Sequence, residues 1–201
     1  MRGQQGSDRQ AQRAARRTVP VLMPILVLLL LLPHTLLAAY QTPRMQRFGA
    51  AEGMPSRVVL QLAQDSKGHV WAATEDGLVR LDGTDLRVWQ YDPDDPQSLR
   101  TNALESLVLD RQDRVWVGTN GGGLLRLRSD NGGFDSFDQV SAECGTQVWS
   151  LATLADTVWV GSNGKGICVL ADDGSVRTIA VGDGPGQLPN GQIYSLRADR
   201  K

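Results

Sequence analysis

The chain has 201 residues, with 21 Lys+Arg against 22 Asp+Glu, 41% apolar residues, two cysteines and two histidines. That apolar content excludes a globally disordered chain, and a net charge of −1 gives no footing for reading nucleic-acid phosphates electrostatically. Two cysteines cannot build a four-thiolate zinc site, and two histidines leave little for imidazole-based catalysis.

The charge is unevenly placed. Residues 1–17 carry five arginines against Asp8, residues 18–39 carry no Lys, Arg, Asp or Glu, and residues from Tyr40 onward net −5. A basic start, an apolar run from Val19 to Leu32 broken by Pro20 and Pro24, and the small pair Ala38-Ala39 describe a secretory signal peptide. The uninterrupted core, Ile25 to Leu32, is short for a membrane span. Counted through to Ala39 the run reaches spanning length, so a signal anchor stands as the alternative. Either reading exports residues 40–201.

Beyond the leader the sequence repeats. Trp71, Trp116 and Trp159 lie 45 and 43 residues apart, in HVWAATEDGLVRLDG, RVWVGTNGGGLLRLRS and TVWVGSNGKGICVLAD. Matched segments precede them: VVLQLAQDSKG, ALESLVLDRQD and QVWSLATLAD, with a further copy, QIYSLRADRK, beginning at Gln192. Asp65, Asp110 and Asp199 fall at one position of the repeat, and Gly77, Gly123 and Gly166 at another.

Each period reads as four short strands. The first is Val58–Gln64, Leu104–Leu109 or Val148–Leu154, followed by a tight turn and a Trp strand such as Val115–Thr119. Asn120-Gly121 and Asn163-Gly164 are strong hairpin signals leading to Leu124–Leu127 and Ile167–Leu170. The fourth strands are Leu86–Tyr91, Gly133–Phe137 and Val176–Ala180. No segment after residue 40 shows a sustained helical period. The expected fold is all-β, built of four-stranded antiparallel β-propeller blades.

The shared pattern V-x-S-L-x-x-D-x-x-G-x-V-W-V-G-T-x-G-G-G-L-x-R-L resembles the two-component regulator propeller repeat, over roughly residues 45–200. FGAAEGMPS (Phe48–Ser56) and YDPDDPQSL (Tyr91–Leu99) are similar to it as well. Departures are local: Ala73 stands where the other copies have Gly118 and Gly161, the Glu75-Asp76-Gly77 turn is short, and the third copy lacks the turn Asp and glycine. The resemblance implies a periplasmic sensor region of a bacterial signalling protein. It also implies further blades, a membrane helix and a histidine kinase or diguanylate cyclase output beyond this chain.

The expected layout is a leader (residues 1–39), a lead-in strand that completes the last blade of a full ring (40–55), and blade 1 (56–97). Blade 2 (98–140), blade 3 (141–184) and the start of blade 4 (185–201) come next. Three blades and a strand cannot close a ring, so the chain is expected to be the N-terminal part of a longer protein, with apolar blade faces exposed.

Alternation of strand direction puts the loops into each first strand on the same rim as the loops between second and third strands. That rim collects the candidate ligand-binding residues Arg57, Arg100, Asn102, Asn120, Gln147, Asn163 and Lys165, with Glu75, Asp76 and Gln192. Trp149 is a further candidate: it and Tyr194 occupy a variable position of the first strand, matched by Leu60 and Glu105. The repeat tryptophans read as packing residues, and Asn120 and Asn163 are also explained by turn chemistry. No catalytic, metal or cofactor set is expected; Asp92, Asp94 and Asp95 sit in a proline-bounded loop unlike a calcium loop. A Cys144–Cys168 bridge would contribute about 3 kcal/mol. The strand between them argues against it, and Cys168 reads as a small core residue in place of Leu125, so the pairing stays open.

The expected function is periplasmic sensing of a small-molecule or carbohydrate ligand, with inner-membrane anchoring and homodimerisation in the full-length protein and no nucleic-acid partner. The alternatives are an exported propeller enzyme of lyase or glycosidase type and an envelope interaction scaffold.

Overall fold

The computed structural model describes residues 45–83, 85–129 and 132–199. The chain divides into two compact units, Met1–Gln46 and Arg47–Lys201, and the blades all belong to the second. The leader falls outside the described residues. Among the described residues no helix is long and apolar enough to cross a membrane.

Three four-stranded antiparallel sheets succeed one another in the order of the sequence repeats. The first comprises β1 (Val59–Gln64), β2 (Val70–Thr74), β3 (Gly77–Asp82) and β4 (Asp85–Trp89). The second comprises β5 (Leu104–Leu109), β6 (Val115–Thr119), β7 (Leu124–Leu127) and β8 (Phe134–Ser136). The third comprises β9 (Val148–Leu154), β10 (Thr157–Ser162), β11 (Ile167–Ala171) and β12 (Val176–Ile179). Each is a meander with sequential neighbours paired, the blade architecture that the repeat predicts. First strands of successive sheets pack against one another, β1 on β5 and β5 on β9, so they form the inner side of the blade stack.

The core lies between blades. One cluster joins Trp71, Ala73 and Leu78 of the first blade to Leu104, Leu107, Val117 and Leu125 of the second. Another joins Trp116 and Leu124 to Val148, Leu151, Val160 and Leu170. Both faces of a middle blade are therefore buried, which is why β6 is buried throughout and its sequence does not alternate. Trp71 and Trp116 are packing residues, 5% and 3% exposed, whereas Trp159 is half-buried.

The repeat Asp explains the turn between first and second strands. Asp65 Oδ1 accepts the backbone N–H groups of Lys67 and His69, and Asp110 Oδ1 those of Gln112 and Arg114. The other oxygen of each accepts the indole N–H of its own blade's tryptophan. The Asp199 counterpart is exposed.

Two features lie beyond the strand plan. A helix, α1 (Asp138–Cys144), interrupts the all-strand reading between β8 and β9. Its seven residues are too few to display a sustained period, yet Val140 and Cys144, four apart, form its buried stripe. That helix packs against β10, β11 and β12, so Cys144 at its end reaches β11 although β9 and β10 lie between the two cysteines in sequence order. Cys144 and Cys168 are consequently disulfide-bonded, with Cα atoms 6.0 Å apart.

At the ends of the stack the strands are fewer than the layout anticipates. Residues 45–55 hold a 3-10 turn, Ala50–Glu52, and no strand. Residues 192–199 form no strand, although Gln192 makes an isolated antiparallel bridge with Asn163.

Candidate ligand-facing surface

The hairpin between second and third strands is built to hold the next blade. In each copy a buried hydroxyl, on Thr74, Thr119 or Ser162, donates to the carbonyl of the repeat glycine, Gly77, Gly123 or Gly166, at 2.7–3.0 Å. Each of these glycines has a positive φ, and its N–H reaches the lead-in of the following blade. Gly77 donates to Asn102 O, Gly123 to Thr146 O and Gly166 to Gly191 O, at 2.9–3.1 Å. The rim predicted from strand direction is therefore present, and it is an inter-blade seam.

Most candidate side chains on that rim are engaged in the seam. Gln147 Nε2 donates to Asn120 Oδ1 at 3.2 Å, Asn163 Nδ2 to Gln147 Oε1 at 2.7 Å, and Gln192 Nε2 to Asn163 Oδ1 at 3.2 Å. This amide chain runs across three successive blades with every link pointing the same way. Asn102 caps the first seam: its Nδ2 donates to Asp76 Oδ1 and its Oδ1 accepts Tyr91 N–H. Arg100 forks onto Asp138 and also donates to Ser136 Oγ at 2.8 Å, tying the loop before blade 2 to the start of α1. The Arg100 guanidinium holds the Asp138 carboxyl below the usual carboxylate range. Arg57, Glu75 and Lys165 are exposed.

Trp149 lies elsewhere, on the inner strands. The pairing of β1 with β2 skips Leu60, that of β5 with β6 skips Glu105, and that of β9 with β10 skips Trp149. All three are β-bulge residues, which leave the ladder and re-aim their side chains. The variable position noted in the sequence is therefore a row of bulges stepping from blade to blade. Tyr194 continues the row: its ring centroid is 5.0 Å from that of Trp149, with planes 30° apart. Trp149 is half-buried and Tyr194 is 71% exposed, so the pair presents an aromatic surface to solvent. A recurring bulge thus carries a changing residue, Leu60, Glu105 and Trp149, and Tyr194 stands at the same position of the repeat.

The remaining candidates have structural roles. Asp92 and Asp95 accept backbone N–H groups of Asp94 and Gln97 and shape the loop between blades 1 and 2. Among the described residues no three His, Cys, Asp or Glu side chains gather in a metal-binding group. His69 sits at the opposite rim, its Nδ1 2.7 Å from Asp65 Oδ2.

Residues 53–76 and 98–121 match the sequence model of the two-component regulator propeller. No curated protein matches the chain. Among solved structures it is similar to the extracellular domain of a one-component system from B. thetaiotaomicron, at 19% identity and a TM-score of 0.63 over 80% of this chain. It also aligns with the extracellular domain of a hybrid two-component system from that organism, at 25% identity and a TM-score of 0.45 over 66% of this chain. Virginiamycin B lyase from Staphylococcus aureus aligns over 67% of this chain and 44% of its own, at 14% identity and a TM-score of 0.51. The chain spans 22% and 26% of the length of the two extracellular domains. The matched segments each run from a blade's lead-in through its Trp strand to the hairpin, the parts that form the seam. Residues 53–76 and 98–121 thus carry the two-component regulator propeller repeat, each within its own four-stranded blade.

Proposed function

We propose that these blades belong to an exported sensor propeller that recognises an extracellular solute, a carbohydrate in the reading we favour, and couples it to a kinase or diguanylate cyclase output. The observation that carries this is the bulge row on the inner strands, ending in the Trp149–Tyr194 pair. Aromatic faces suit the C–H faces of pyranose rings, and the amide chain near Gln147 lies two residues from Trp149 in sequence. The blade frame is held by its own seam, so variation at the bulge changes the surface without changing the fold. Ligand-dependent coupling would act by favouring one arrangement of the sensor over another.

A panel of neutral oligosaccharides, followed by calorimetry and tryptophan fluorescence, tests the ligand. Binding that is lost in Trp149→Ala, with unchanged far-UV circular dichroism, is the expected result. Binding of a panel member that persists in that variant, or no binding across the panel, rejects the inner strip as a carbohydrate surface. Immunoblotting of membrane and periplasmic fractions with an antibody against blade 1 tests the cellular setting. A membrane-bound species several times the mass of this chain is expected.

A further inference from the structure

A groove of about 780 Å³ opens between the first and second blades, near the turn rim and away from the bulge row, lined by Lys67, Trp71, Arg80, Arg87, Trp89 and Arg126 among others. That volume suits a ligand of one or two rings. Its charges are unequally satisfied. Arg126 pairs with Asp135 at 2.8 Å, and Arg114 with Asp110 and Asp172. Asp65 is occupied by Trp71 and His69, and Asp113 by Ser66. Lys67, Arg80 and Arg87 make no ion pair with any described residue. Moreover, the Arg80 Nε and Trp89 Nε1 donors are buried without a hydrogen-bond partner.

The repeat shows what is missing. In the second blade the cross-strand ladder runs Trp116, Arg126, Asp135, and the carboxylate neutralises the arginine that lies over the indole. In the first blade the same ladder runs Trp71, Arg80, Arg87. Two guanidiniums therefore stand directly opposite each other, an arrangement that repels. Arg80 lies over Trp71 and Arg87 over Trp89, at 5.7 and 4.6 Å from the ring centroids, and the two indoles stack at 5.5 Å. The position that a carboxylate fills in the second blade is left, in the first, to a negative charge from outside.

We propose that this groove binds an anionic group, phosphate or sulfate, carried on a molecule of one or two rings. The guanidiniums of Arg80 and Arg87 and the ammonium of Lys67 would take the charge, and the buried indole and guanidinium N–H groups would gain their acceptors. The site depends only on blades 1 and 2, so it stands apart from the inner strip and from the carbohydrate reading of that strip.

The test uses the full chain, titrated with glucose 6-phosphate, glucose 6-sulfate, inorganic phosphate, inorganic sulfate and glucose, read by calorimetry and by the fluorescence of the groove tryptophans. At least one of the two sugar esters is expected to bind more tightly than its inorganic ion, with affinity falling as salt is raised and with no response to glucose. Arg87 is exposed, so Arg87→Ala is expected to keep the fold by circular dichroism and weaken binding at least tenfold. Arg87→Lys serves as the milder variant, with several-fold weakening. Arg177→Ala, which removes the arginine over Trp159 in the third blade, leaves binding unchanged. The proposal is overturned if glucose binds as well as its esters, if the inorganic ions bind as tightly as the esters, or if neither Arg87 variant weakens binding.

Discussion

Asp110 Oδ2 accepts the indole N–H of Trp116 at 2.8 Å while its Oδ1 closes the β5–β6 turn. One carboxylate thereby fixes both the turn and the rotamer of the residue that fills the space between blades 2 and 3. In the third blade, which lacks this Asp, Thr157 Oγ1 accepts the Trp159 indole at 3.1 Å instead. Asp110→Ala strands the Trp116 indole N–H and unties two backbone amides of a turn whose tip, Arg111 and Gln112, is exposed, and is expected to cost about 2–3 kcal/mol. Thr157→Ala removes the indole's acceptor together with the hydroxyl's own bond to Leu154 O, at the exposed turn, and should cost about 1 kcal/mol. Urea unfolding of the two variants gives the comparison directly.

The same device makes the first blade sensitive to acid. Burial of Asp65 opposes its ionised form, but hydrogen bonds from Trp71 and His69 outweigh that, and its carboxyl is lowered to about 2. A folded value below the unfolded one means that ionised Asp65 stabilises the fold above the ordinary carboxylate range. That stability is lost as pH falls toward about 2, and with solvent screening it amounts to about 1–2 kcal/mol. The urea midpoint should therefore fall between about pH 5 and pH 2.5, and fall less in Asp65→Asn. Equal losses in both proteins would assign the acid sensitivity to other carboxylates.

The strand plan was readable because turn chemistry and repetition agree: Leu104–Leu109, Val115–Thr119, Leu124–Leu127 and Val148–Leu154 are strands with the bounds that the sequence suggests. The disulfide was not, because it depends on α1 carrying Cys144 across the sheet to β11, and a seven-residue helix leaves no periodic trace. At the candidate surface the residue types of the rim were legible, but their use was not. Whether Gln147 faces a ligand or bridges Asn120 and Asn163 is decided by cross-blade register, which a single period does not contain. The bulge that skips Trp149 shows in the sequence only as a varying position; Arg80 is the arginine of the repeat pattern, but nothing in that pattern marks Arg87 opposite it. Their significance appears when blade 1 is compared with blade 2 in three dimensions.

Close approach between blades explains one repeat glycine. A Cβ on Gly118 would lie 2.2 Å from Ser106 Oγ, 2.5 Å from Val148 Cγ1 and 2.8 Å from Val148 O. Gly161 meets Ser150 and Ile193 in the same way. Gly118→Ala should cost about 1–3 kcal/mol through overpacking against a backbone that cannot retreat. Ala73→Gly, at the matching position of blade 1, should cost about 1 kcal/mol or less. Thermal unfolding of both variants checks the asymmetry.

The Cys144–Cys168 bridge closes a loop of 24 residues around β9 and β10. Cross-linking a loop of that size stabilises by about 3 kcal/mol, mainly by restricting the unfolded chain. Reduction, or replacement of both cysteines by alanine, should lower the urea midpoint by a corresponding amount. The largest local effect is expected in α1, whose hold on the third blade the bridge secures. Hydrogen exchange should show Val140 and Ser141 amides losing protection before those of β10. Uniform loss across the blade would place the effect in the unfolded chain alone.

Burial, and not residue type, should set the response of equivalent leucines. Leu62, Leu107 and Leu151 occupy one position of the repeat, yet they are 63%, 1% and 4% exposed. Leu107 is packed between blades 1 and 2, and Leu151 between blades 2 and 3. Leu62 belongs to β1, and Val59 and Leu60 on the same strand are 40% and 44% exposed. Leu107→Ala removes buried methyl groups from a closed space and should cost about 2–5 kcal/mol. Leu62→Ala should change stability by about 0.5 kcal/mol or less, because the side chain has little to lose on truncation. The exposed strip should instead drive self-association, so Leu62→Lys is expected to reduce concentration-dependent light scattering without lowering the unfolding midpoint. If Leu62→Ala destabilises as strongly as Leu107→Ala, β1 is covered in solution by part of the chain outside the described residues.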